Sequence, residues 1–250
     1  MALKNIIKFF LQKLLGFPNY LYFFAWYKVK TLRSDRREND FFAFLDLLPP
    51  DGIVLDIGAN IGIMTVHLAK HVTNGKVIAF EPIPDNVKTL ERIIRKFSIK
   101  NVAVEVCALG DRAGRIEMVM PVESGAKQQG LSHVVHDSIT ERNEGLRFPV
   151  SLKVLDEFEF AKQETPRITG IKMDVENFEC FVLAGARELL ARHQPVLYLE
   201  LWPNENRHIC FEIVKKLDYT IYVNTNGRLE IFDPAKHKKQ NFIMRFAKSS

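Results

Sequence analysis

The sequence contains few cysteines, and their spacing fits neither a metal motif nor a redox motif. Cys107, Cys180 and Cys210 are far apart, and no C-x-x-C pair occurs. Closely spaced cysteine pairs are typical of zinc sites and thiol–disulfide motifs. The protein is therefore expected to work in a reducing compartment, and no cysteine chemistry is expected to carry its function.

Long uninterrupted apolar segments are also missing. The apolar stretch of residues 3–17 is broken by Lys8, Gln12 and Lys13, and its continuation contains Pro18. A transmembrane helix needs about 20 mostly apolar residues, and a signal peptide needs an unbroken apolar core. Neither is expected here. The expected location is cytoplasmic, with the inner face of a membrane as an alternative.

Positive charge is scarce in the middle of the chain and concentrated at its ends. Residues 1–40 hold eight Lys or Arg against three Asp or Glu, and residues 234–250 hold five against none. The remainder has 22 basic and 27 acidic side chains, although the whole chain has a net charge of +5. A domain that grips nucleic acid needs a basic face on its body. No nucleic-acid partner is therefore expected.

These changes in charge along the sequence divide the chain into three expected parts. Residues 1–50 form a basic, aromatic-rich helical extension, residues 51–233 form the main domain, and residues 234–250 form a basic tail. Within the extension, apolar residues recur at helical spacing and are followed by an aromatic cluster and several cations, an arrangement typical of membrane-surface helices. The alternative is that these aromatics pack on the main domain or on a second subunit. The oligomeric state stays open.

The main domain is organised around residues 53–62. A short β-branched apolar run ends near Asp56, a loop with Gly58 and Gly62 follows, and then a helical pattern begins. Strand, glycine loop and helix form the plan of a nucleotide-binding βαβ unit. A dinucleotide site would show G-x-G-x-x-G and place a pyrophosphate on the helix. A carboxylate there repels a pyrophosphate but suits the ammonium and sulfonium groups of S-adenosylmethionine.

A second acidic residue follows the next strand. Glu81 lies 23 residues after Gly58, close to where such folds place a carboxylate on the ribose hydroxyls of an adenosine. Cys107 and Ala108 follow the third expected strand, at the end of the sheet where adenine often lies. We therefore expect Glu81 to bind ribose and the other two residues to flank the base.

Further carboxylates follow the later strands. Asp174 ends one strand, Glu176 and Glu179 lie in the expected first helical turn, and Glu200 ends another strand. Acidic residues are favoured in a first helical turn in any case. Asp174 is more informative because ligands of open α/β sheets bind at the carboxyl ends of the strands.

The order of elements predicts an α/β fold with helices on both faces of the sheet. Five βα units are followed by two strands, residues 219–223 and 228–232, joined by the Asn226–Gly227 hairpin signal. This order predicts the Rossmann-like class I methyltransferase fold, with a seven-stranded, mostly parallel sheet and an antiparallel C-terminal hairpin. Residues 121–147 lack periodicity and are expected to form a long functional loop, which contains His133.

Several motifs resemble those of the FkbM-type S-adenosylmethionine-dependent methyltransferases. They are residues 54–62, 80–82, 108–111, 171–176 with Glu179, and 199–203. The resemblance covers about residues 51–223 and leaves both basic ends outside. The family usually has glycine after the Glu of the Asp-Val-Glu element, and this chain has Asn177, a residue that tolerates left-handed backbone angles.

The resemblance implies O-methylation of a hydroxyl on a sugar, a glycan or a related natural product. Asp174 is then expected to be the base, Glu176 and Glu200 to orient acceptor hydroxyls, and His133 to be the alternative base. The loop residues Gly58, Asn60 and Gly62 are expected to surround the methionine part of the cofactor, and Asp56 to hold its ammonium side, directly or through water. A Mg²⁺ ion bound in addition to the cofactor is a further alternative, because Asp174, Glu176 and Glu200 together offer the oxygen ligands that it prefers.

Three rival functions remain at this stage. An NAD-dependent oxidoreductase is disfavoured by Asp56 and the missing dinucleotide motif. An RNA methyltransferase is disfavoured by the acidic body and by the lack of an Asn-Pro-Pro-Tyr-type motif. A membrane-attached scaffold without catalysis has Asn177 as its one local hint.

Overall fold

The computed structural model describes residues 2–139 and 141–247, with side chains from Asn5 onward. Its helices are α1 (Ala2–Leu15), α2 (Phe17–Thr31), α3 (Asn39–Leu45), α4 (Ile63–His71), α5 (Pro84–Lys96), α6 (Glu159–Lys162), α7 (Glu179–Ala184), α8 (Arg187–His193) and α9 (Glu205–Lys215). Its strands are β1 (Ile53–Ile57), β2 (Lys76–Phe80), β3 (Val102–Glu105), β4 (Ala108–Leu109), β5 (Gly114–Glu123), β6 (Ala126–Lys127), β7 (His133–Val134), β8 (Gly145–Lys153), β9 (Ile168–Met173), β10 (Val196–Glu200), β11 (Tyr219–Thr225), β12 (Arg228–Ile231) and β13 (Asn241–Phe246).

The main sheet has the strand order β12-β11-β13-β10-β9-β1-β2-β3 in the described part of the chain. Strands β3, β2, β1, β9 and β10 are parallel. The register aligns Ile57 with both Phe80 and Met173, and Met173 with Leu199. The residues that follow these strand ends therefore meet along one edge of the sheet.

Apolar side chains on both faces of the strands anchor helices on both sides of this sheet. Val54 and Val77 share a buried cluster with Phe41 of α3 and Leu68 of α4. Neighbouring positions along the same strands, such as Leu55, belong to a second cluster, which includes residues of α7, α8 and α9. This two-sided burial explains why the central strands read as continuous apolar runs.

The expected seven-stranded sheet is not confirmed, because the described residues form an eight-stranded one. The hairpin of β11 and β12 turns at Asn226 and Gly227, which both have positive φ. However, β13 lies between β10 and β11, antiparallel to both. It comes from the segment predicted to be a basic tail, where Phe242, Ile243 and Met244 are buried.

A second, smaller sheet occupies the stretch predicted to be a long loop. Strand β5 pairs with β8, β6 and β7, and β4 pairs with β8. Residues 121–147 therefore contain short strands and a 3₁₀ turn, Gln129–Leu131. Two-residue strands are too short to produce a periodic sequence pattern, which is why the sequence predicts only a loop here.

Candidate functional site

A cavity lies at the carboxyl ends of β1, β2 and β9. Seven of the predicted site residues line it: Gly58, Asn60, Glu81, Cys107, Ala108, Asp174 and Glu176. Four others, Asp56, Gly62, His133 and Glu200, are not in its lining. The first group is brought together by the parallel register of the strands, which aligns their last residues.

Gly58 joins the loops that follow β1 and β9. Its φ is 74°, and a Cβ atom there would lie 1.9 Å from the carbonyl oxygen of Asp174. The amide of Asp174 donates to the carbonyl of Ile57 at 3.1 Å, and the amide of Gly58 donates to Phe80 at the same distance. Glycine is therefore required because the two loops touch through their backbones. This contact holds Asp174 beside the loop.

Glu81 is fixed by hydrogen bonds to both of its carboxylate oxygens. One oxygen accepts from the amide of Ile83 at 2.9 Å and from Asn86 at 3.2 Å, and the other accepts from the amide of Asn60 at 2.9 Å. Burial raises the pKa of Glu81 to about 7, although these hydrogen bonds and Lys172 act in the opposite direction. Each carboxylate oxygen has two lone pairs, so acceptor capacity remains for a ligand hydroxyl.

Asp56 does not face the cavity. Its carboxylate is fully buried, forms an ion pair with Lys172 at 3.2 Å and accepts from the hydroxyl of Thr65 at 2.6 Å. The geometry therefore offers no direct contact between Asp56 and a ligand, so only the water-mediated form of the prediction for Asp56 stays open. Lys172 is not among the residues predicted from the sequence. The only local signal is a lysine within an apolar strand; its position opposite Asp56 depends on the register of β1 with β9.

Lys172 also holds the loop after β1. Its ammonium group donates to the carbonyl of Gly58 at 2.8 Å. Burial lowers the pKa of Lys172, but Asp56, Asp174 and Glu200 raise it, and the net result is a pKa above the usual value. The lysine therefore stays charged, and its hydrogen bond connects β9 to the loop that lines the cavity.

Gly62 has a packing role. It precedes α4 with a φ of 84°, and a Cβ atom there would lie 2.6 Å from Cδ1 of Leu90. The residue thus lets the loop turn into α4 in close contact with α5. It is not among the residues that line the cavity.

Three carboxylates interact near the ends of β9 and β10. Burial and the negative charges of Asp174 and Glu200 raise the pKa of Glu176 to about 9. Burial and Asp174 raise the pKa of Glu200 to about 7, against the attraction of Lys172. The pKa of Asp174 is also raised, mainly by burial, while Lys172 lowers it. Part of this cluster is therefore protonated at neutral pH.

Glu179 and Asn177 shape the turn that carries Glu176. Glu179 is buried and accepts from the amide of Val175 at 2.9 Å, and burial raises its pKa to about 8. Asn177 has a φ of 76°, and its side chain accepts from Asn204 at 2.8 Å. Asparagine thus adopts the left-handed conformation in the position where related sequences are expected to have glycine.

His133 is placed away from the cavity. The residue is buried in β7, and its ring nitrogens lie 2.9 Å from the carbonyl oxygen of Leu131 and 3.1 Å from Oδ1 of Asn143. Both nitrogens therefore have partners within the protein. This position does not support the expectation that His133 serves as an alternative base. Its neighbours Ser132 and Val134 line the cavity instead.

A second cavity lies beside the first. The two share Gly58, Asn60, Gln129, Gly130 and Asp174 in their linings. The N-terminal extension supplies much of the remaining wall of the second cavity: Phe24, Lys28, Leu32 and Glu38. Asp174 therefore faces both cavities, and the extension helps to enclose the site.

No group of three or more His, Cys, Asp or Glu side chains in residues 2–139 and 141–247 is arranged to hold a metal ion. The described residues likewise include no helix with the length and apolar character needed to cross a membrane.

The Methyltransferase FkbM domain matches residues 56–231, which is more than half of the chain. Methyltransferase 1 of Beauveria bassiana is 26% identical over 150 residues, covering 55% of this chain and 59% of its own length. Methyltransferase sdnD of Sordaria araneosa is 25% identical over 162 residues, covering 56% and 62%. The AMB antimetabolite synthetase AmbE of Pseudomonas aeruginosa is 27% identical over 169 residues, covering 56% of this chain and 8% of its own. The matches thus span less than two thirds of each of these relatives.

A solved structure shows the same fold. Methyltransferase FkbM from Methylobacillus flagellatus superposes with a TM-score of 0.54 at 18% identity, covering 97% of this chain and 59% of that one. The chain belongs to the FkbM methyltransferase family.

Proposed function

We propose that the protein is an S-adenosylmethionine-dependent O-methyltransferase that acts on a hydroxyl of a sugar, a glycan or a related natural product. The observation that carries this proposal is the lining of the first cavity. Among its described residues are three carboxylates, Glu81, Asp174 and Glu176, and no Lys or Arg. Although these groups are partly protonated at neutral pH, the lining carries negative charge and no cation, so it favours a ligand with ammonium and sulfonium groups over a pyrophosphate.

The first cavity fits the parts of this cofactor. Glu81 is held through both oxygens, and the oxygen that accepts from Asn60 keeps one free lone pair for a ribose hydroxyl. Buried Cys107 and Ala108 offer an apolar surface for the adenine. When bound, the cofactor supplies an electrophilic methyl group on sulfur. The chain then has to hold an acceptor oxygen in line with that group, which provides much of the rate enhancement.

We assign the second cavity to the acceptor. Its wall offers acceptors on Asp174 and Glu38, a donor on Lys28, which also pairs with Asp35 at 3.1 Å, and an apolar face on Phe24. A polyhydroxylated ring presents donors and acceptors that match such a wall. This assignment supports a sugar-like acceptor and gives the extension a role in substrate selection.

Asp174 is the proposed base because it faces both cavities. Asp174 would take the proton of the acceptor hydroxyl as its oxygen attacks. The bound cofactor would supply the methyl group, with its carbon–sulfur bond breaking and S-adenosylhomocysteine leaving. A general base works best when its pKa lies near the operating pH. The raised pKa of Asp174 moves it in that direction. Glu176 lines only the first cavity and Glu200 lines neither cavity, so neither is proposed to contact an acceptor in the second cavity.

The first test is calorimetric titration with S-adenosylhomocysteine, with NAD as the control ligand. We expect micromolar binding of S-adenosylhomocysteine alone. Binding of NAD alone would overturn the cofactor assignment, and binding of neither would favour a scaffold that has lost catalysis. Methyl transfer to a panel of sugars and glycans then tests the acceptor.

Asn177 offers no support for the scaffold, because it has the required left-handed backbone.

A further inference from the structure

Helix α1 packs against the protein through its polar side. Asn5 donates to the carboxylate of Glu123 at 3.0 Å. Gln12 is buried, donates to the carbonyl of Lys127 at 3.0 Å and accepts from the amide of the same residue at 3.0 Å. These bonds fix the helix with its polar stripe on the small sheet. Its apolar stripe must therefore point away from the protein.

The outward side of α1 is a continuous apolar stripe. Its members recur at the spacing of one helix face and have between 41% and 81% of their surface exposed: Ile6, Ile7, Phe10, Leu11 and Leu14. A helix on the surface of a water-soluble domain normally has the reverse orientation, with its apolar stripe toward the core. Among the described residues nothing covers this stripe, so the inversion indicates a surface that contacts a partner.

Helix α2 adds aromatic side chains to the exposed surface. Phe23 and Tyr27 are 51% and 58% exposed, while Leu21, Ala25 and Val29 on the other side are buried. Eight of the thirteen large apolar residues exposed in the described chain belong to α1 and α2. Such a concentration marks an interaction surface, since isolated exposed apolar residues are common but clusters are not.

The charges of this region identify the class of partner. Residues 1–34 contain six Lys or Arg and no Asp or Glu. Lys13 in the last turn of α1 and Lys30 near the end of α2 are exposed. A second copy that used the same face would bring like charges together. An anionic lipid surface would instead attract the cations and accept the apolar side chains.

We propose that α1 and α2 seat the protein on the surface of an anionic lipid bilayer through this inverted apolar face. The helices lie along the interface, with Phe10 and Leu14 inserted among the lipids. Phe24 and Lys28 of α2 also line the second cavity. Docking therefore brings the proposed acceptor cavity close to the lipid surface, a consequence that rests on the proposed function.

The test is flotation of the full chain with vesicles of phosphatidylcholine alone or mixed with an equal amount of phosphatidylglycerol. We expect binding to the mixed vesicles that weakens at high salt, because exposed charges are screened. The double substitution Phe10→Ser with Leu14→Ser is expected to weaken partitioning by about tenfold or more. Ile231→Ser is the matched control, because Ile231 is 66% exposed on the edge strand β12, and it should bind like the wild type.

Charge reversal gives an independent variant. Lys13→Glu with Lys30→Glu leaves the apolar stripe intact and should reduce binding to the mixed vesicles. The proposal is overturned if the wild type floats with neither vesicle, or if the serine variant binds as well as the wild type. It is also overturned if the wild type does not bind lipid but forms a dimer in ultracentrifugation, and the serine variant does not form that dimer. Binding of S-adenosylhomocysteine by each variant separates these outcomes from failure of the proposed function.

Discussion

If Glu81 binds the ribose of the cofactor as proposed, its titration should make cofactor binding depend on pH, and Glu81→Gln should remove that dependence. The carboxylate is held by the amides of Asn60 and Ile83 and by the side chain of Asn86. Its pKa is raised to about 7 by burial. A ribose diol donates hydrogen bonds, so it binds the ionised carboxylate better than the neutral acid. The affinity for S-adenosylhomocysteine should therefore rise as the pH increases through 7.

The magnitude follows from the pKa and from the strength of the hydrogen bonds. With a pKa of about 7, about nine tenths of Glu81 is ionised at pH 8 and about one tenth at pH 6. The dissociation constant should thus be about tenfold larger at pH 6. Hydrogen bonds to a charged group contribute roughly 1.5–3 kcal/mol. Glu81→Gln should therefore weaken binding about 10- to 100-fold at pH 8, and the difference should shrink at pH 6.

The assay is titration calorimetry with S-adenosylhomocysteine at several pH values, alongside thermal unfolding of each variant. Asp85→Asn is the matched control, since Asp85 lies in the first turn of α5 and is not part of the cavity lining. A wild-type affinity that does not change with pH would contradict the proposed contact between ionised Glu81 and the ribose. So would a glutamine variant that keeps the full pH dependence, because the titrating group would then lie elsewhere in the carboxylate cluster.

Three further substitutions test the site. Asp174→Asn should change the affinity for S-adenosylhomocysteine little. In a methyl-transfer assay it should lower turnover by about 10²- to 10⁴-fold. Unaffected turnover would assign the base to another carboxylate. Lys172→Met leaves Asp56 buried without its cation, so urea unfolding should show a loss of about 3–5 kcal/mol that added Asp56→Asn partly restores. No loss would mean that the ion pair does not stabilise the fold. Asn177→Ala should lower the free energy of unfolding by about 1–2 kcal/mol, because residue 177 has a left-handed φ of 76°. Asn177→Gly should lower it less, since glycine adopts this φ without strain. Equal losses for the two variants would contradict the backbone argument.

The placement of the proposed cofactor residues could be predicted because parallel strands end in register. Each of Gly58, Glu81 and Asp174 follows a buried strand directly, and parallel pairing places such residues at one edge. Local sequence thus defined most of the first cavity. It also indicated why Asn177 is tolerated, since asparagine is among the few residues that adopt left-handed angles readily.

Long-range pairing could not be read in the same way. Asp56 and Lys172 are far apart in sequence, and only the register of β1 with β9 shows that they neutralise each other. The buried strand β13 follows a lysine-rich segment, and its apolar run is short. Its place between β10 and β11 depends on which sheet edge remains open, which local pattern does not contain.

The α/β class, the acidic residues at the strand ends and the amphipathic character of α1 could all be predicted from local patterns along short segments. The outward side of α1, the enclosed position of His133 and the contribution of the extension to the second cavity depend on contacts between distant segments. Periodicity reveals that a helix has two faces. Which face is buried depends on the partners that the rest of the chain brings to it, here the polar edge around Glu123 and Lys127.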